Sequence, residues 1–175
     1  MLSNELALST ATISEMAKDM PIPPWGPNVK VYLEPVAQLQ QVAEAKSTAY
    51  RSDLDTAFKD PADAVRQLWN IDAWDQFQGQ FFLHLNSDRS TALTTPEQDG
   101  GNVFIDIQGD VHRNGGTQVW VFESVGDPAS SIWRLRNLNT NLYLYYQPGT
   151  PGLPIIAVSL ESPGIYTEWK VVVVE

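Results

Sequence analysis

The chain has 175 residues, of which 21 are Asp or Glu and 11 are Lys or Arg, for a formal net charge of −10. A chain of this length makes one domain that buries roughly 70% of its unfolded surface without staples. It contains no cysteine, which excludes disulfides, thiolate metal sites and a cysteine nucleophile, and its negative charge argues against nucleic acid and anionic lipid surfaces as partners.

The first 27 residues differ from the rest. MLSNELALSTATISEM has neither a basic start nor a continuous apolar stretch, so it does not read as a signal peptide. The localisation that follows is cytoplasmic, or release without a signal peptide. Asn4 to Lys18 carries Leu6, Leu8, Ile13 and Met16 and fits a short helix capped by Ser3 or Asn4. PIPPWGP at 21–27 then breaks regular structure. Residues 1–27 are read as an N-terminal arm and linker through which a protein partner can dock, with a disordered leader as the alternative. Trp25 is expected to pack on the domain at 28–175. The longest aliphatic run, Val171 to Val174, is far short of a membrane span.

From Val29 onward the chain repeats itself. RQLWNI, TQVWVF and TEWKVV place Trp69, Trp120 and Trp169 at intervals of 51 and 49 residues. VKVYLEP, FFLHLNS and IWRLRNL begin at Val29, Phe81 and Ile132, at intervals of 52 and 51. Two further markers keep step: LQQVAE, ALTT and LYLYYQ, then LDTAF, NVFIDIQ and LPIIAVSL. Each reads as a short strand, and DGG, NGG, PGTPG and SPG supply turns between them. Three repeats (about 29–75, 79–125 and 130–175) of four strands each predict an all-β fold, a β-trefoil of twelve strands. The competing feature is 36–68, helical by propensity, with a short helix compatible near 46–56 or 60–66. A helix throughout would leave two β repeats with unpaired edges, an unfavourable outcome.

Gln67-Leu68-Trp69 and Gln118-Val119-Trp120 carry the Q-x-W triplet, and Thr167-Glu168-Trp169 a degraded copy. With these triplets in register, residues 29–175 resemble the ricin-B-type β-trefoil lectins, notably the small signal-less fungal ones. That resemblance implies a non-catalytic carbohydrate-binding module. In the sugar-binding repeats of that family the site implied is an Asp after the leucine of the second strand, an aromatic residue on the third strand, and an Asn before the Q-x-W glutamine. Carboxylate and amide suit hydroxyl pairs, and a flat ring suits the apolar face of a pyranose.

This sequence departs from that set. The Asp position reads Gln40, Thr94 and Tyr145, and the Asn position reads Arg66, Thr117 and Tyr166. The stacking position falls near Asp106 in repeat two and Val158 in repeat three. The expectation is therefore a diverged sugar site. Its candidates are Asp99, Asn102, Asp106, His112 and Asn114, if the 96–101 turn and the 109–116 loop converge, and the Tyr143 and Tyr145 pair, which strand alternation sends to one face. Ordinary loop composition and cap packing explain the same residues without a ligand. Trp69, Trp120 and Trp169 are read as core, and Gln67 and Gln118 as structural.

Catalysis, cofactors and metals find no support in the motifs. Asp53, Asp55, Asp60, Asp63, Asp72 and Asp75 form a loose acidic stretch without the glycine and distal Glu of a calcium loop. The two histidines, His84 and His112, lie 28 residues apart, unlike a zinc-protease pair. Glycan or glycoprotein binding is the first expectation. The alternatives are a protein-binding trefoil such as a protease inhibitor, presenting PGTPG (148–152) or the 109–116 loop, and a subunit or targeting module of a larger toxin-like assembly.

Overall fold

The computed structural model describes residues 23, 25, 28–38, 40–75, 78–109, 117–161 and 164–174. The helix expected at Asn4 to Lys18 lies outside the described residues, as do His112 and Asn114. The described residues hold no helix long and apolar enough to cross a membrane.

The described residues form twelve strands, four from each repeat. The first repeat gives β1 (Val29–Pro35), β2 (Gln41–Ala45), β3 (Ser52–Phe58) and β4 (Trp69–Asp75). The second gives β5 (Gln80–Leu85), β6 (Thr91–Thr94), β7 (Phe104–Ile107) and β8 (Trp120–Ser124). The third gives β9 (Ile132–Asn137), β10 (Tyr143–Tyr146), β11 (Ile155–Val158) and β12 (Glu168–Val174). Antiparallel pairing of β1, β4, β5, β8, β9 and β12 runs round a closed ring, so the barrel has no free edge. The hairpins β2–β3, β6–β7 and β10–β11 cap one end. Three equivalent pairings, Asp53 with Phe104, Asn102 with Ile156 and Asp55 with Pro154, tie the hairpins into a triangle. This is a β-trefoil.

The register is the same in every repeat. Trp69 faces Leu85, Trp120 faces Asn137 and Trp169 faces Pro35 across their strand pairs. All three indoles are fully buried. Each Nε1 donates to a carbonyl of its own repeat's second strand: Ala43 at 3.2 Å, Leu93 at 2.9 Å and Leu144 at 3.0 Å. A buried indole needs a partner for its N–H, and here that partner fastens the cap to the barrel. Leu54, Val103 and Ile155 fill the axis under the cap.

The first strands run toward the cap, so Val31, Phe81 and Trp133 lie at the far end of the barrel. Trp25 packs there, edge-on to Trp133 at 5.2 Å and to Phe122 at 5.4 Å. A residue of the linker thus belongs to the core.

The helical reading of 36–68 does not hold. Among the described residues of this region, helical turns are confined to a 3₁₀ turn at Pro61–Asp63 and the one-turn helix α1 (Ala64–Gln67). Asp60 caps the first, accepting from the Ala62 N–H at 2.8 Å, with Pro61 at its first position. Elsewhere tertiary context overrides propensity. Ala43, Ala45, Leu54 and Thr56 turn into the core with period two, and closing the barrel offsets a small loss of intrinsic preference.

Candidate functional site

The Q-x-W glutamines organise the edge of the cap. Gln67 is buried; its Oε1 accepts from the Asp60 N–H at 2.9 Å and its Nε2 donates to the Phe58 carbonyl at 2.9 Å. Gln118 is buried likewise, accepting from the Gly109 N–H at 2.9 Å and donating to the Ile107 carbonyl at 3.0 Å. Each clamps the chain as it leaves its repeat's third strand, and leaving such groups unpaired would be costly. In repeat three Thr167 takes that place. Its hydroxyl donates to the carbonyl of Gly164, the cap of the 3₁₀ turn Ile165–Thr167, at 2.6 Å.

The indole bonds also fix which residues are equivalent at the edge. Ala43, Leu93 and Leu144 correspond, so the next residues, Glu44, Thr94 and Tyr145, occupy the position expected to hold a sugar-binding Asp. The expectation of Gln40 for repeat one is therefore corrected to Glu44. The leucine taken as the marker there is Leu39, whereas a small alanine stands in for leucine at 43. The partner position is Arg66, Thr117 and Tyr166.

Three chemistries fill one geometry. In repeat one, Arg66 Nη1 lies 2.9 Å from Glu44 Oε1, and Gln67 donates to Glu44 as well. Arg66 also meets Asp63 at 2.8 Å; that hydrogen bond, with Glu44 adding to it, raises the guanidinium pKa. This carboxylate is already paired. In repeat two, Thr94 is buried and its hydroxyl accepts from Gln118 at 3.1 Å. In repeat three, Tyr145 and Tyr166 meet edge to face with ring centres 6.1 Å apart, and Tyr166 keeps 36% of its surface exposed.

Tyr146 holds that aromatic pair in place. It points into the core, opposite to Tyr143 and Tyr145. Its hydroxyl donates to the Ile165 carbonyl at 2.7 Å and accepts from the Ala37 N–H at 2.9 Å. It thereby pins the turn that carries Tyr166, whose ring it also touches at 5.8 Å. Burial is the main reason its phenol pKa lies above the ordinary tyrosine value.

The remaining candidates have separate neighbours. Asp99 accepts from the Ser159 N–H at 2.8 Å, at the end of β11. Asn102 donates to Asp53 of repeat one at 3.1 Å. Asp106 accepts from the Ile107 N–H at 2.8 Å and lies 3.8 Å from Arg51. The described residues thus point Asp99 toward repeat three and Asn102 and Asp106 toward repeat one. Tyr143 shares a strand face with Tyr145, yet its hydroxyl donates to Glu123 at 3.1 Å. Burial first, then that carboxylate, raises its pKa. The acidic stretch disperses too, with Asp55 on Lys46 at 3.3 Å and Asp72 near His84 at 3.6 Å. No group of three or more metal-ligating side chains occurs among the described residues.

Neither a family model nor a curated protein matches the chain. Solved structures do. The designed threefold symmetric protein ThreeFoil is 18% identical over 82% of this chain and 97% of its own, with a TM-score of 0.69. A mosquitocidal holotoxin is 15% identical over 86% of this chain, which spans only 18% of the toxin, with a TM-score of 0.70. SeviL, solved bound to the asialo-GM1 saccharide, is 20% identical over 82% of this chain and 96% of its own, with a TM-score of 0.58. An exo-β-1,3-galactanase from Clostridium thermocellum also matches, over 30% of its length. At such identities the likeness defines a class, the β-trefoil, and that class serves several functions.

Proposed function

We propose that this chain is a non-catalytic carbohydrate-binding module whose sugar site lies in repeat three, at Tyr145 and Tyr166. The observation that carries the reading is the aromatic pair itself. It stands at the two edge positions where the ricin-B-type resemblance puts the sugar's polar partners, it is partly exposed, and Tyr146 orders it before any ligand arrives. A pyranose offers an apolar face to such rings and hydroxyls to the phenol oxygens. Ordering beforehand limits the entropy lost on binding. A trefoil neighbour solved with a bound saccharide supports the class of ligand. The other two edges suit the role less, since Glu44 is neutralised by Arg66 and Thr94 is buried.

A glycan array tests this, using the wild type beside Tyr145→Ala, Tyr166→Ala and Asp106→Ala. Selective binding that both tyrosine variants lose and Asp106→Ala keeps is the expected result. A blank array from folded protein refutes the reading, and loss in Asp106→Ala alone moves the site to repeat two.

One observation favours a second reading, a protein-binding trefoil such as a protease inhibitor. Gln38 and Gln41 both donate to the Gly149 carbonyl, at 3.2 and 3.3 Å, so the exposed PGTPG loop is held in one conformation. Inhibition of a protease lost on Thr150→Gly would support it. The toxin-like assembly reading draws on the holotoxin likeness and is tested by deleting residues 1–22 and measuring partner capture.

A further inference from the structure

Repeat one carries a concavity between its first strand and its cap hairpin. Glu34 from β1, Gln40 from the turn before β2, and Phe58 and Lys59 at the end of β3 line a depression of about 480 Å³. Phe58 is 62% exposed at its rim. Lys59 Nζ lies 2.9 Å from Glu34 Oε1 and 4.1 Å from the centre of the Tyr32 ring. The ammonium is thus fixed in position yet keeps donors to spare, and Glu34 Oε2 has no partner among the described residues. Gln40 adopts a left-handed conformation, φ 67°. Its carbonyl accepts from the Lys59 N–H at 3.0 Å, and its side chain is exposed. The same register places put His84 and Ile107 in repeat two, and Arg136 and Ser159 in repeat three, where Glu34 and Phe58 stand here.

We propose that this depression is a second, separate binding site for a neutral pyranose. A sugar needs a flat apolar surface for one face and alternating donors and acceptors for adjacent hydroxyls, each of which both gives and takes a hydrogen bond. Phe58 supplies the surface, Lys59 the donors, Glu34 the acceptor and Gln40 both. The paired Lys and Glu leave little net charge, which suits an uncharged ligand. The volume lies within the range of small-molecule sites. A smaller depression of about 140 Å³ shares Glu34 and Gln40 and continues to Gln38, Ile132 and Lys170, so a second ring of a longer glycan has somewhere to go.

The test is a titration of isotope-labelled full-length protein followed by backbone amide NMR. The probes are methyl β-galactopyranoside, methyl α-mannopyranoside and methyl β-N-acetylglucosaminide. With at least one probe, the amide signals of Gln40, Phe58 and Lys59 are expected to shift and saturate. Phe58→Ala and Glu34→Gln should weaken that binding at least tenfold, and Tyr145→Ala should leave it unchanged. Phe58 and Glu34 are outside the core, and the variants' own spectra report whether the fold is kept. Absence of saturable shifts at these residues with all three probes overturns the proposal, as do shifts that persist unchanged in Phe58→Ala. Failure of the repeat-three site instead shows as signals of Tyr145 and Tyr166 that do not respond.

Discussion

Repeats one and three solve the same geometry with opposite chemistry. At the edge of the cap, repeat one sets Glu44 against Arg66 at 2.9 Å, and repeat three sets Tyr145 against Tyr166 at 6.1 Å. One residue further along the chain, where repeat one has the clamp Gln67, repeat three has Thr167, whose hydroxyl donates to the nearby Gly164 carbonyl. One residue inward from the edge the difference vanishes, for Ala43 and Leu144 both receive the indole N–H of their repeat's tryptophan. Positions that close the barrel are constrained by packing and by a buried donor that must be satisfied. Positions on the rim differ, from the buried Thr94 to the exposed Tyr166, so each repeat carries its own chemistry there.

The largest effect should come where the repeats agree. Trp69→Ala, Trp120→Ala and Trp169→Ala are each expected to cost about 3–5 kcal/mol in guanidinium unfolding. One variant costing less than half of the others would break the equivalence of the repeats. The glutamine clamps sharpen the contrast. Gln67→Ala and Gln118→Ala should each cost roughly 3 kcal/mol, because several backbone groups lose their partners, whereas Thr167→Ala should cost about 1 kcal/mol. Equal losses would show that repeat three is clamped by another route.

Tyr146→Phe should cost about 1–2 kcal/mol by orphaning the Ala37 N–H and the Ile165 carbonyl. It also has a signature in pH. Burial raises the Tyr146 phenol above its ordinary value, so the folded state holds that proton more tightly than the unfolded chain. The corresponding stability is present below the ordinary value, about pH 10, and is lost as pH rises through the folded pKa. Stability curves between neutral and strongly alkaline pH should fall less steeply for Tyr146→Phe than for wild type. The smallest effect belongs to the rim of repeat one. Arg66→Ala breaks a pair that is partly exposed, so it should cost under about 1 kcal/mol and less at high salt.

Much of this architecture was legible because the repeat period, the tryptophans and the turn residues all point the same way. The expected strand segments and the observed strands overlap in all twelve cases. The misreading in repeat one has a local cause. LQQVAEA has leucine at 39 and alanine at 43, so the hydrophobic marker suggested a register four residues early and hid Glu44. The stretch also favours helix by composition, and only its pairing with β3 makes it a strand. Tyr166 was visible at an edge position, but nothing local said that a strand of the same repeat would bring Tyr145 to it. The depression at Phe58 was not legible at all, since its residues come from β1, the following turn and the end of β3.

By itself the sequence determined the all-β class and the threefold period, because both depend on spacing and on turn chemistry. Only the tertiary structure decided which rim residues meet. It turned Glu44 to Arg66, Asp106 to Arg51, Tyr145 to Tyr166 and Lys59 to Glu34, because contacts on a closed barrel are set by how the strands pair around the ring, and these neighbours in space stand 21 to 55 positions apart in the chain. Short-range patterns carry no record of such distances.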